Sequence, residues 1–447
     1  MIVLFWTDSL FFLLLFAAAI VLWRARQDEH LVRPLRKVTH SRSAMVSAVL
    51  LLAYLLVAVL DSIHFTGGEQ GAGAFRNEPV SVLDWLLTPL RIHVEKTYSA
   101  PFACDALSRE MIADATGQML WGLPRLQFAC SHLEHPEATA AADIASRSLQ
   151  GLLLGGLAGL LLAAPLWGWR GSREWLGPGW LAVILTVVGL GLIAGWLAAL
   201  APFYHVLGTD KVGMDVLYQS LKSIRTGLMI GTLTTLVTLP LALLLGTLAG
   251  YFRGWVDDVI QYVYTTLNSI PGVLLIAASI LLTQVYMGRH EAEYASLGWR
   301  ADLRLLFLCL ILGLTSWTGL CRLLRAETLK LREMEYVQAA RALGVGHLMI
   351  LRRHILPNLM HLVLISVALD FSSLVLAEAV LSYVNIGVDP TTESWGNMIN
   401  SARLEMAREP VVWWSLAGAF GFMFVLVLAA NLLADAVRDA FDPRRAE

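Results

Sequence analysis

One short segment, "CSHLEHPE", is rich in residue types that bind metal ions: Cys130, His132, Glu134, His135 and Glu137. Thiolate, imidazole and carboxylate ligands of this kind suit zinc or nickel. Their spacing matches no closed metal site, and Pro136 prevents a single helix from aligning them. We therefore interpret the segment as a solvated loop and predict no metal site on this chain.

Signatures of enzymes are missing from the sequence. His290 and Glu291 begin like a zinc-protease helix, but Tyr294 stands where the second histidine ligand is required. No GxSxG elbow occurs, and no Gly-Lys dipeptide is present from which a phosphate-binding loop could be built. The chain is therefore predicted not to be an enzyme, and any ATP that it uses must bind to another subunit.

Two acidic residues, Asp370 and Glu378, interrupt a strongly apolar stretch. A carboxylate inside such a span is costly unless it faces a cavity or a partner. Their separation of eight residues puts them roughly on one face of a helix. Either they belong to a functional path, or Glu378 lies near a membrane interface, where it is hydrated or bonded to the backbone.

The composition places the chain in a membrane. Of 447 residues, 57% are hydrophobic and 15% are charged, with a mean hydropathy of +0.63 and a net charge of -2. A net charge this close to zero excludes the strong positive surface field that nucleic-acid binding requires. About nine apolar stretches are long enough to cross a bilayer: 2–23, 44–60, 149–167, 180–200, 226–251, 259–285, 303–323, 359–384 and 412–433.

These stretches predict an all-α polytopic membrane helix bundle, because they are too long and too continuous for barrel strands. Glycines at four-residue spacing, among them Gly151, Gly155, Gly191 and Gly195, predict helix faces that approach closely. The sequence divides into two regions that differ in organisation. Residues 1–200 form a membrane region of four helices with an extracytoplasmic segment, 64–148, of unknown fold, and 205–447 form a compact second region.

Basic residues orient the spans. The segment after the first span holds Arg24, Arg26, Arg33, Arg36, Lys37 and Arg42, which the positive-inside rule places in the cytoplasm. The amino terminus is then outside and the carboxyl terminus cytoplasmic. A cleaved signal peptide is the alternative for the first span, but it lacks a basic n-region and a small-residue cleavage site.

The four cysteines divide between two environments. Cys104 and Cys130 lie in the outer segment, where oxidising conditions allow a disulfide, so we predict a possible structural bridge between them. Cys309 and Cys321 lie in an apolar helix and are predicted to be packing residues.

A polar stretch at 335–358, "EYVQAARALGVGHLMILRRHILPN", interrupts the second region. Tyr336, Ala339, Ala340 and Leu343 recur at helical steps and predict a short helix with a small, apolar exposed face. Gly344 follows as a left-handed cap, and Pro357 can open the next helix. The helix either docks in a groove of a partner or rests on lipid headgroups.

This stretch resembles the EAA loop of permease subunits in binding-protein-dependent ABC importers, in the dipeptide, oligopeptide and nickel branch. Further segments resemble the same branch in order: "HVLGTDKVGMDVL", "GYFRGWVDD", "NSIP", "LAEAVLSYVNIGV", "SWGNMI" and "NLLADAVRDAFDPR". Gln338, His354, Val206 and Met214 depart from the family pattern. The spans before residue 180 and the outer segment have no counterpart in it.

The resemblance implies a transport subunit of the bacterial cytoplasmic (inner) membrane, importing peptides or a related small solute. It implies four partners, namely a second permease subunit, two ATPase subunits that bind ATP and Mg, and an extracytoplasmic solute-binding protein. No cofactor is expected on this chain. The residues expected to couple to the ATPases are Glu335, Tyr336, Gln338, Ala339, Ala340, Gly344 and Pro357.

Four residues are candidates for the translocation path: Ser269, Pro271, Asp370 and Glu378. The alternative function is a membrane scaffold or sensor, built on a permease core that has lost transport, because resemblance of fold does not guarantee activity. Stimulation of ATP hydrolysis by a loaded binding protein separates the two functions.

Overall fold

The computed structural model describes residues 2–25, 36–66, 79–113, 119–168, 177–290 and 297–441. Fifteen helices lie in these ranges: α1 Trp6–Ala25, α2 Arg42–Ser62, α3 Val82–Leu86, α4 Thr88–Ile92, α5 Pro136–Gly168, α6 Gly179–Leu200, α7 Val216–Phe252, α8 Trp255–Ser269, α9 Gly272–Arg289, α10 Leu297–Arg332, α11 Glu335–Ala342, α12 His347–Ile350, α13 Leu356–Tyr383, α14 Trp395–Glu405 and α15 Trp414–Phe441. The predicted polytopic helical bundle is confirmed.

Eight of the described helices are long and apolar enough to cross a membrane, namely α2, α5, α6, α7, α9, α10, the run through α12 and α13, and α15. Helix α1 has a shorter apolar stretch, Trp6–Ile20. The single span predicted over 259–285 is instead two helices, α8 and α9. Pro271 separates them because it lacks an amide hydrogen and forces Ile270 into an extended conformation, with ψ 131°.

The chain folds into two compact units that are interleaved along the sequence. The first contains 1–4, 36–227 and 390–429, and the second contains 5–35, 228–389 and 430–447. The division between 1–200 and 205–447 concerns domains and stays a prediction. Two residues used above to orient the chain, Arg26 and Arg33, lie outside the described residues.

In the first unit, α5 and α6 pack against each other through facing glycines. A Cβ atom on Gly155 would collide with the carbonyl oxygen of Gly191, and one on Gly195 would collide with the backbone of Gly151 and Gly155. Such backbone contact is possible only for residues without side chains. The predicted small-residue faces therefore form one tight helical hairpin.

The outer segment contributes four of the five strands described in the first unit. Strands β1 Ile2–Val3, β2 His64–Thr66 and β3 Pro79–Ser81 form an antiparallel sheet, and β4 Glu110–Ala113 pairs with β5 Met119–Gly122. Cys104 is bonded to Cys130, with their Cα atoms 5.4 Å apart. Cys130 is fully buried beside Leu200 and Tyr204, so the bridge lies in a hydrophobic core.

The second unit is built around α7, α10 and α13. Buried residues from these helices and from the loop that follows α11 form one hydrophobic cluster, which includes Leu320, Leu324, Ile350, Ile355 and Leu359. The free cysteines Cys309 and Cys321 are buried in α10. The segment 335–358 is therefore packed against the long helices of this unit.

Candidate functional site

The segment 335–358, called the coupling loop below, consists of two short helices joined by a turn. Helix α11 begins after Met334, whose extended backbone separates α11 from α10, and Gly344 follows α11 with φ +76°. Only glycine adopts this left-handed conformation without strain. Helix α12 continues into a π-helical turn, Leu351–Ile355, and Pro357 lies in the first turn of α13.

The two faces of α11 differ in burial. Val337 is 2% exposed and Ala340 is 9% exposed, and both pack into the unit's own core. Leu343 is 84% exposed, and Gln338 and Ala339 are also exposed. Ala340 is therefore not on the exposed face where the sequence pattern placed it. A helix of two turns has only one residue per turn at the centre of each face, and the core takes this one.

Side-chain hydrogen bonds hold the coupling loop in place. The Tyr251 hydroxyl lies 2.8 Å from Nδ1 of His347, and Arg332 donates to the carbonyl oxygen of Tyr251 at 2.7 Å. Within the loop, Nδ2 of Asn358 donates to the Tyr336 hydroxyl at 3.0 Å. The end of α7 thus holds the middle of the loop, and the bond between Tyr336 and Asn358 joins its two ends.

An ion pair ties α8 to α10 near this loop's base. Arg325 donates from Nε and from a terminal nitrogen to the two carboxylate oxygens of Asp257, at 2.5 and 2.6 Å. This two-bond geometry fixes both orientation and distance. Sequence reasoning missed the pair, because 68 residues separate the partners. The only signal available was the presence of both residues at the ends of apolar stretches.

The four candidates for the translocation path lie in different environments. The Ser269 hydroxyl donates to the Thr266 carbonyl at 2.7 Å, and Pro271 precedes α9 at the break between helices. Glu378 is 2% exposed and accepts a hydrogen bond of 2.7 Å from Ser382. Asp370 lines a cavity whose wall does not include the other three.

A second polar constellation lies in the first unit, where the outer segment meets the "HVLGTDKVGMDVL" segment. Nδ1 of His205 is 2.7 Å from Asp215, and Nε2 is 3.5 Å from Glu95. All three side chains are buried. We call these three residues the His205 cluster. Glu95 also accepts hydrogen bonds from the backbone N–H groups of 127–129 at 2.8 to 3.1 Å.

The pKa values in the His205 cluster follow from these contacts. Burial disfavours the charged imidazole, but Asp215 and Glu95 outweigh burial and raise the pKa of His205 to about 9. Burial likewise opposes ionisation of Glu95, but His205 and the three backbone donors lower its pKa to about 2. At neutral pH, the cluster therefore contains a protonated His205 beside an ionised Glu95, and their attraction joins the two segments.

Close backbone contact also joins the two segments. Gly213, with φ +79°, accepts a hydrogen bond of 3.0 Å from the backbone N–H of Glu95, and a Cβ atom at Gly213 would collide with Glu95. The Thr209 hydroxyl accepts from the N–H of Ser99 at 2.7 Å. The motif that resembles the permease family thus also holds the outer segment, which the sequence did not indicate.

A polytopic helical bundle in which a short two-helix segment connects two membrane-length helices defines an integral membrane subunit. The family described as "Binding-protein-dependent transport system inner membrane component" matches residues 242–447. The chain belongs to this family.

Named relatives support the assignment. The glutathione transport system permease protein GsiD of Pectobacterium atrosepticum is 32% identical over 242 residues, which cover 54% of this chain and 73% of the relative. The oligopeptide transport system permease proteins OppC of Mycobacterium bovis and Mycobacterium tuberculosis are each 30% identical over 239 residues, covering 54% of this chain and 76% of each relative.

Proposed function

We propose that this chain is the transmembrane permease subunit of an ATP-driven importer for peptides or a related small solute. The proposed assembly contains a second permease subunit, two ATPase subunits that bind ATP and Mg, and an extracytoplasmic solute-binding protein. Relatives that are named as oligopeptide and glutathione permeases support the substrate class. ATP hydrolysis takes place on the partner subunits.

The observation that carries this proposal is the exposed apolar surface of the coupling loop. Leu343 and Leu348 are 84% and 79% exposed, although they belong to a loop whose middle is hydrogen-bonded to α7 and whose two ends are hydrogen-bonded to each other. A rigid element that presents apolar side chains is suited to a groove in a partner. We propose that the ATPase subunits supply this groove and move the loop when they bind ATP.

The test compares two exposed leucines. Leu343→Ser should weaken co-purification with the ATPase subunits and lower hydrolysis stimulated by the binding protein. Leu404, which is 71% exposed in α14, provides the matched control, and Leu404→Ser should leave both measurements unchanged. Insertion of both variants in the membrane is checked by extraction and size-exclusion chromatography.

Two further variants examine the shape of the loop. Ala339→Trp enlarges the exposed face, whereas Gly344→Val strains the left-handed turn and misdirects α12. Both should uncouple hydrolysis from the binding protein. Ala340→Trp is less informative, because Ala340 packs inward and overfilling the core destabilises the fold itself.

Normal ATPase binding and stimulation in Leu343→Ser, Ala339→Trp and Gly344→Val would contradict the coupling role and favour a helix that rests on lipid headgroups. Retained ATPase binding without stimulation in the unmodified protein would instead favour the scaffold or sensor.

A further inference from the structure

The second compact unit contains a cavity among α7, α10 and α13, with a volume of about 60 Å³. Five of its lining residues carry a carboxylate or a hydroxyl group: Asp370, Thr235, Thr238, Ser316 and Ser373. The remaining lining residues are aliphatic. The volume suits a small charged group with a water molecule, and it excludes a whole peptide.

Asp370 lies at the depth of the membrane interior. It is near the middle of α13, a helix of 28 residues, so at 1.5 Å per residue it lies about 20 Å from either end. A carboxylate at this depth is retained where it faces a cavity or a partner.

Within the described residues, the structure records no hydrogen bond or ion pair for the Asp370 carboxylate. The Ser373 hydroxyl donates to the backbone carbonyl oxygen of Asp370 at 2.8 Å and not to its carboxylate. Glu378 on the same helix differs, because Ser382 donates to it. An ionised Asp370 would therefore place in the cavity a negative charge that no described side chain compensates, so a cation is the ligand that stabilises this form.

The hydroxyl groups around Asp370 are arranged as acceptors. Thr235 donates its proton to the carbonyl oxygen of Gly231 at 2.7 Å, and Thr238 donates to that of Gly313 at 3.3 Å. Ser373 donates to Asp370 as described above. Once its proton is committed, a hydroxyl offers only lone pairs to a ligand. Three of the four hydroxyls thus join the carboxylate in favouring a cation.

We propose that this cavity binds a monovalent cationic group, with Asp370 as its charge partner and the hydroxyls as further ligands. The group belongs either to the solute, as a primary ammonium, or to a free alkali ion. A primary ammonium has three N–H donors and no acceptor, which matches a wall of acceptors. The first source rests on the transport function proposed above, whereas the second does not.

Thermal unfolding of the purified full-length protein tests the proposal with small probes. Methylammonium chloride, sodium chloride, potassium chloride and choline chloride are compared at equal ionic strength, with choline as the bulky cation that has no N–H donor. We expect methylammonium to raise the melting temperature in a saturable manner and choline not to do so. In Asp370→Asn, apparent affinity for methylammonium should fall about tenfold or more, because a charge-assisted hydrogen bond is lost.

A second pair of variants tests the site even if Asp370→Asn does not fold. Ser316→Ala removes an exposed cavity hydroxyl and should weaken the methylammonium effect, whereas Thr315→Ser, on the neighbouring residue outside the lining, should not. A sodium or potassium effect that depends on Asp370, without a methylammonium effect, assigns the site to a free ion. Cation effects that are equal in all variants and the unmodified protein would overturn the proposal.

Hydrolysis of ATP stimulated by the binding protein, measured on the same variants assembled with the ATPase subunits, reports separately on transport. If stimulation is absent but the Asp370-dependent shift persists, the cation site stands and the proposed function fails. If stimulation is present but the Asp370-dependent shift is absent, the cation site fails and the proposed function stands.

Discussion

The Nζ atom of Lys222 lies 2.5 Å from Oδ1 of Asp84 and 3.7 Å from Oδ1 of Asp61. Lys222 is in α7, whereas both acids precede residue 200 and lie at the end of α2 and in α3. Tyr218 also donates to Asp84 at 2.6 Å. Burial opposes ionisation of Asp84, but Lys222 and Tyr218 lower its pKa to about 2. The start of α7 is thus ionically joined to the amino-terminal region.

Lys222→Met should destabilise the protein by about 3 kcal/mol, because it leaves buried Asp84 and Asp61 without their cation. The double variant Lys222→Met/Asp84→Asn should recover part of this loss, since it removes one uncompensated charge. Thermal unfolding in detergent measures both. Lys96→Met, which removes an exposed ion pair with Glu110, should change stability by well under about 1 kcal/mol. Equal effects of Lys222→Met and Lys96→Met would contradict the ionic role.

The His205 cluster predicts a loss of stability at alkaline pH. The pKa of His205 is about 9 in the folded protein and about 6.5 when exposed, so its contribution is complete below pH 6.5 and disappears as pH rises through 9. Protease resistance of the outer segment should therefore fall between these values.

In His205→Gln, resistance should already be reduced at pH 6.5, and the additional fall between pH 6.5 and 9 should be absent. The Glu95 carboxylate has the opposite dependence, because its depressed pKa withdraws stability only as pH falls from about 4.5 towards 2. A wild-type profile that is flat from pH 6.5 to 9.5 would show that His205 does not hold the segment.

Reduction of the bond between Cys104 and Cys130 should destabilise the outer segment. The bridge closes a loop of 26 residues, which corresponds to about 3 kcal/mol in the chain-entropy description. Alkylation and mass spectrometry of protein taken directly from membranes should find these two thiols blocked. Recovery of both as free thiols would refute the bridge. The double variant Cys104→Ser/Cys130→Ser should still insert in the membrane.

The orientation of the chain is tested by single cysteines in a background of Cys309→Ser and Cys321→Ser. A cysteine at exposed Thr391 should react with an impermeant thiol reagent from outside, and one at exposed Lys37 only after permeabilisation. Position 71 should also be labelled from outside, although it lies outside the described residues. Labelling of position 37 in intact cells would reverse the assignment of sides.

The sequence by itself determined the membrane class and nearly all the spans. Bilayer thickness requires long apolar helices, and this requirement is visible in one dimension. It also determined the helix, glycine cap and proline of the coupling loop, because Gly344 and Pro357 act through local backbone conformation.

Only the tertiary structure decided which side chains meet. The pairs Glu95 with His205, Asp84 with Lys222, and Asp257 with Arg325 join residues far apart in the chain, and no local pattern specifies such pairs. The inward position of Ala340 likewise depends on the core around it. Asp370 was visible as a costly charge, but the hydroxyls beside it come from three helices, so their convergence is a property of helix packing alone.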